Sequence, residues 1–258
     1  MSGLQGRRFL VTRRPEQSGL LVERLRAEGA LVVEVPAIAI EPPLDAAPLD
    51  AALARLDHYD WIVFTSANAV EAVADRLRAL GLDASPVGGR TAVASVGVVT
   101  TQAFHQRFPH GRVSLEPEQE FRAEALLQAF RVRGVRGERL LLPTSDKARD
   151  TLGGGLRQAG GHVEVVAAYR TVAPPDLAER IAAALAEGID MALFASPSAV
   201  ENFAAAAGAR AKGLGAAVIG PVTRQAAAAR GFSVRVVAEP QTAEGLVQGL
   251  LRCYAPPA

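Results

Sequence analysis

The sequence holds one cysteine, one tryptophan, two methionines and four histidines, and only 5% of its residues are aromatic. A lone cysteine, Cys253, excludes an intramolecular disulfide. It stands near the C-terminus without a neighbour that would activate a thiolate, so it reads as inert. The histidines, His58, His105, His110 and His162, are scattered without metal-ligand spacing. Charge of one sign is also missing. Lys and Arg number 28 against 27 Asp and Glu, a net charge of +1, and no dense basic run exists. The electrostatic footprint of a nucleic-acid binder is therefore absent. No apolar run approaches a membrane span: "LVVEVPAIAI" is broken by Glu34 and Pro36. The opening "MSGLQGRRFLVTRR" has too short an apolar stretch for a signal-peptide core. A soluble cytoplasmic protein is expected.

Hydrophobic residues make up 49% of 258, enough for a substantial core. They are arranged in a repeat. "DWIVFTSANAVEAV" from Asp60 and "DMALFASPSAVENF" from Asp190 share Asp, Phe, Ser, Ala, Val and Glu at matching places, 130 positions apart. "RFLVTRR" from Arg8 starts a stretch that recurs from Arg139, with Leu10, Leu21, Leu25, Arg26, Gly29, Val32 and Val35 repeated 131 positions on. Gly97, Val99, Thr100, Gln102 and Ala103 recur as Gly220, Val222, Thr223, Gln225 and Ala226. The offset changes only between elements, where loops tolerate deletion.

Each copy reads as strand then helix, repeatedly. "RFLVT", "ALVVEV", "WIVFTS", "TAVASVG" and "RVSLEP" are short and rich in β-branched residues. Val70, Val73, Leu77 and Leu80 share one face of a helix. Apolar strands alternating with helices predict parallel sheets covered on both faces. The expected fold class is α/β, two similar doubly wound domains of five strands each. Pro36–Pro43 and Ala167–Pro175 depart from this pattern. Both are extended, close on Pro-Pro, and read as crossings between domains.

A ligand of such sheets sits at the carboxyl ends of the strands, where helices begin. Ser66 and Ser196 end strands and can cap the next helix, with Pro197 in the first turn. Gly97 and Gly220 end strands too, each with a threonine three residues on. Helix-start N–H groups favour anions. Ser, Thr and Gly at such turns also serve capping alone, whatever the protein does. "GLGAAV" from Gly213 precedes a strand, so it is not a dinucleotide loop. "TLGGGLRQAGG" lacks the Gly-Lys-Ser/Thr ending of a phosphate loop. No Ser-His-Asp order or paired-carboxylate spacing stands out.

Taken together and in order, "FLVTRR", "DWIVFTSANAV", "SVGVVTTQAF", "AAYRTVAPP", "IDMALFASPSAVENF", "AVIGPVTRQAAAARG" and "VVAEPQTAEGLVQGLL" resemble the uroporphyrinogen-III synthase family of tetrapyrrole synthesis. The resemblance covers almost the whole chain. It implies closure of the linear tetrapyrrole hydroxymethylbilane, with loss of water and inversion of the last ring, and no metal or organic cofactor. It implies a flavodoxin-like pair of domains with a cleft between them and a two-stranded connector near 36–43 and 167–175. The expected domains are 1–37 with 173–258, and 38–172. A monomer is expected, in transient contact with hydroxymethylbilane synthase.

The substrate carries acetate and propionate arms, so backbone N–H groups are expected to hold it. The expected contacts lie at Thr65, Ser66, Ala67 and Asn68; at Gly97, Val98 and Thr100; at Ser196, Pro197 and Ser198; and at Gly220, Pro221 and Thr223. Thr12, Arg13, Ser145 and Lys147 are expected to help. The catalytic group implied by the resemblance is Tyr169, whose repeat counterpart is Ile38. A non-catalytic two-lobed protein that binds a tetrapyrrole or another polyanion is the alternative.

Overall fold

Eleven strands and ten α-helices alternate along the described residues of a computed structural model, which are 3–117, 122–148 and 150–255. The chain divides into two compact units, Met1–Ala39 with Val172–Ala258, and Ile40–Thr171.

The first unit contains β1 (Arg8–Val11), α1 (Pro15–Ala27) and β2 (Leu31–Glu34). The second opens at β3 (Ala39–Glu41) and α2 (Ala47–Leu53). It continues through β4 (Trp61–Phe64), α3 (Ala67–Leu80), β5 (Ala92–Ser95), α4 (Val98–Arg107) and β6 (Val113–Leu115). Then come α5 (Ala123–Arg133), β7 (Arg139–Ser145), α6 (Thr151–Gln158) and β8 (His162–Val172). The chain returns to the first unit with α7 (Leu177–Ala186), β9 (Met191–Phe194), α8 (Pro197–Ala207) and β10 (Gly215–Val218). It finishes with α9 (Pro221–Ala229), β11 (Ser233–Val237) and α10 (Ala243–Cys253).

The first sheet runs β11-β10-β9-β1-β2, with parallel pairing throughout. In its own strand count this is the order 2-1-3-4-5 of flavodoxin-like sheets. The second runs β3-β8-β7-β4-β5-β6. By the repeat, β7 and β8 take the places of β1 and β2, and β4, β5 and β6 those of β9, β10 and β11. The order is again 2-1-3-4-5, entered at a different strand. The expectation of five strands per sheet holds for the first only. The extra strand, β3, neighbours β8, which has 11 residues where its counterpart β2 has four. The added length gives an edge for β3 to join, and Arg170 pairs with Glu41 there.

The central strands WIVF (β4) and MALF (β9) are buried at every residue. Successive side chains point to opposite faces, and both faces are covered. In β1, Leu10 packs on one side with Phe194, Phe203 and Phe232, while Phe9 and Val11 pack on the other with Leu25 and Leu250. In β4, Ile62 and Phe64 join Val70, Val73 and Leu77 of α3, and Trp61 and Val63 face Phe130 and Leu156. The helices end where the sequence lets them: α3 stops at Gly81, left-handed at φ 64°. One glycine inside α6 also has a packing reason. A Cβ on Gly155 would lie 2.3 Å from Cδ2 of Leu127, so α5 approaches α6 too closely for a side chain.

Candidate active site

In the order 2-1-3-4-5 the chain reverses its direction of growth between the first and third strands. The loops at their carboxyl ends diverge and leave a crevice. In the first unit those strands are β1 and β9, and in the second β7 and β4. The loops concerned carry Thr12 and Arg13 with Ser196, and Ser145 with Ser66.

Ser66 and Ser196 cap their helices alike. Each has extended backbone, and Oγ accepts from the N–H three residues on: Ala69 at 3.1 Å, Ala199 at 3.2 Å. The remaining first-turn N–H groups have no intrahelical carbonyl to bond. The next strand in each sheet ends at a glycine cap without a side chain. At Gly97 the turn is held by Ser95, whose Oγ accepts from Gly97 N–H at 3.3 Å and donates to the Gly97 carbonyl at 3.2 Å. Gly97, Thr100, Gly220 and Thr223 are buried, whereas Ser198 and Pro221 are exposed. Proline has no N–H. Pro197 and Pro221, first residues of α8 and α9, therefore donate nothing, while Ala67 and Val98 in the second unit do. The two sets of turns are alike in shape and unequal in donors.

Beside the glycine turns stand exposed apolar side chains, of which Val99 and Val222 are not among the expected contacts and Val98 was expected there only for its backbone N–H. Val98, Val99 and Val222 are 45%, 73% and 65% exposed on the first turns of α4 and α9. Val99 and Val222 are repeat counterparts. A β-branched apolar residue at a solvated helix start, in both copies, was the available signal.

Thr12 is buried and committed within the sheet: Oγ1 donates to the Leu193 carbonyl at 2.7 Å. Arg13 is partly buried. Burial lowers its guanidinium from the ordinary arginine value, with no acidic group among the described residues to offset it. Ser145 donates to Asp146 at 3.1 Å, Thr65 and Asn68 are partly buried, and Lys147 is exposed.

Tyr169 was expected in the extended two-stranded connector near 36–43 and 167–175. It lies inside β8, in register with Ser145, and is 8% exposed with its ring in the core against α3. A strand that continues past its neighbours' ends carries it to the carboxyl edge. There the phenol oxygen is 3.1 Å from Ser66 Oγ.

A cavity of about 500 Å³ lies at the opposite edge of the second sheet, where Arg139 and His162 begin β7 and β8. Its charges largely satisfy one another: Arg55 and Tyr59 both bond Glu164, at 2.8 and 2.6 Å, and Arg157 pairs with Asp150. It lies at the amino ends of these strands, away from the switch point of its own sheet, so it is not the candidate site. Among the described residues no group of three His, Cys, Asp or Glu could hold a metal ion, and no helix is long and apolar enough to cross a membrane.

Comparison with known proteins adds a family. Residues 20–248 match the family described as uroporphyrinogen-III synthase HemD. The chain is 35% identical to the uroporphyrinogen-III synthase of Synechococcus elongatus, over 95% of this chain and 94% of that one. It is 32% identical to the porphyrin biosynthesis protein HemD of Ruminiclostridium josui, over 96% of this chain and 49% of that one. Two solved uroporphyrinogen III synthases share the fold. That of Helicobacter pylori has a TM-score of 0.63 at 12% identity, covering 95% of this chain and 99% of its own. A mutant from Thermus thermophilus has a TM-score of 0.60 at 18% identity, covering 96% and 98%.

Proposed function

The chain belongs to the uroporphyrinogen-III synthase family, and from that premise we propose that it closes hydroxymethylbilane to uroporphyrinogen III, expelling water and inverting the last pyrrole ring. The observation that carries the reading is the make-up of the carboxyl edges. Helix-start N–H groups stand beside exposed Val99 in one unit and Val222 in the other. The substrate has the same two sides, apolar pyrrole rings with acetate and propionate arms. The N–H groups and Arg13 suit the carboxylates, and the valines suit the rings.

Tyr169 is the catalytic residue of this reading. As the C–O bond breaks, its electron pair stays on the departing oxygen. The phenol of Tyr169 donates to that oxygen, which takes the proton and leaves as water. For the last ring to invert, the methylene cation bonds first to the α-carbon of that ring already joined to the chain. The older C–C bond there breaks, the methylene it frees bonds the ring's other α-carbon, and the proton lost from that carbon restores the phenol. The contact strengthens as charge grows on the oxygen, so it acts on the transition state more than on the bound substrate.

The test supplies hydroxymethylbilane and resolves the isomers formed. Unassisted closure gives the unrotated isomer I, so isomer III is the expected product. Isomer I alone, at the unassisted rate, would reduce the protein to a tetrapyrrole binder. The protein acts as a monomer, receiving its unstable substrate by transient contact with hydroxymethylbilane synthase.

A further inference from the structure

We infer that Ser66 is a positioning residue that turns the Tyr169 proton towards the substrate. The inference rests on the role given to Tyr169 above. The two oxygens are 3.1 Å apart, and either could be the donor. A hydroxyl has one hydrogen and two lone pairs. If Tyr169 donates, Ser66 Oγ accepts twice, since it already accepts from Ala69 N–H at 3.1 Å. If Ser66 donates, the bonds run head to tail: Ala69 N–H to Ser66 Oγ–H to Tyr169 Oη–H, and from there outward.

Two effects select the second arrangement. Hydrogen bonds in a head-to-tail chain polarise one another, and a hydroxyl that accepts a bond becomes a better donor. The positive end of α3 acts in the same direction, since it draws electron density from Oγ. The phenol proton is then free to point away from the core. With the ring buried and fixed, the direction of that proton is the one freedom the phenol retains, and Ser66 removes it. The other unit lacks this chain. Ser196 caps α8 with the same geometry, but the position matching Tyr169 holds Ile38, which has no hydroxyl to receive the bond.

The test is a mutant cycle on isomer III formation at saturating hydroxymethylbilane. Ser66→Ala should lower kcat about fivefold, the usual effect of losing one hydrogen bond, with KM unchanged. Ser66→Thr retains the hydroxyl and should restore most of the rate. Ser66→Gly lacks the hydroxyl, yet glycine is a good enough cap to keep the fold, so it should match Ser66→Ala in kcat. In a Tyr169→Phe background, Ser66→Ala should cost nothing more. Ser196→Ala supplies the Tm loss of a missing cap. If Ser66→Ala lowers kcat by the same factor with and without the Tyr169 hydroxyl, Ser66 is only a cap and the inference fails while the role of Tyr169 stands. If Tyr169→Phe itself turns over like the parent, the role of Tyr169 fails, and this inference with it.

Discussion

Arg13→Met separates binding from folding at one position. The guanidinium is partly buried, and burial lowers its pKa with no acidic partner among the described residues to compensate. Such a charge is a cost to the folded protein unless a ligand completes it. Methionine is of similar length and fills irregular space, so the packing of the aliphatic stem is largely kept. The fold should therefore lose nothing and gain up to about 1 kcal/mol, a Tm rise of at most about 4 °C. Substrate binding should suffer instead. A charge-assisted hydrogen bond to a carboxylate contributes about 1.5–3 kcal/mol, which is about tenfold to a hundredfold in KM. Because that contact exists in both bound substrate and transition state, kcat should hold. Arg13→Lys keeps the charge but not the planar fork, and should fall between. The assay is steady-state isomer III formation over a range of hydroxymethylbilane concentrations, with thermal unfolding measured alongside. A Met variant with the parent's KM would mean that the charge does not hold substrate, and one that unfolds several degrees earlier would mean that the charge serves the fold; either result would refute the reasoning.

Val99→Asp and Val222→Asp should each leave folding intact, because both side chains are exposed and a carboxylate in a first helical turn is tolerated or favourable. Each should raise KM about fivefold or more through repulsion of the substrate's carboxylates, and unchanged KM values would remove the valines from the site. Burial, then the hydrogen bond to Glu164, pushes Tyr59 up to about 12 from the ordinary 10.0. The folded state thus holds this proton more tightly than the unfolded chain, and the resulting stability is whole below about pH 10 and lost as pH rises through about 12. Tyr59→Phe should flatten the fall in urea-unfolding free energy across that window; a fall as steep as the parent's would count against the argument.

The alternation of strand and helix was legible because β4 and β9 are unbroken apolar runs and α3 repeats its apolar residues at helical spacing. Strand β3 was expected only as part of the connector, since three residues, Ala39–Glu41, between prolines carry too little pattern to show that they join the second sheet as a sixth strand. The serine caps at Ser66 and Ser196 were legible because a cap is a local device, decided within four residues. What could not be read was set by residues far apart in sequence. The burial of Arg13 depends on its whole surroundings, and the Ser66–Tyr169 contact joins residues 103 positions apart. The missing donors at Pro197 and Pro221 were plain in the sequence. They were passed over because the repeat invites equal treatment of unlike residues.

The interleaved course of the chain also bears on how the protein is made. Residues Ile40–Thr171 are contiguous, so the second unit has all its strands once Val172 has left the ribosome. Strands β1 and β2 emerge first, yet β1 has to wait for β9, its partner on the other side, until the entire second unit has been translated. At 5–20 residues per second that interval is on the order of ten to thirty seconds. Throughout it, β1, which will lie between β9 and β2 in the first sheet, has its apolar faces uncovered. A nascent chain of this order is exposed to premature association at its beginning, and it is there that a ribosome-bound chaperone would have most to protect.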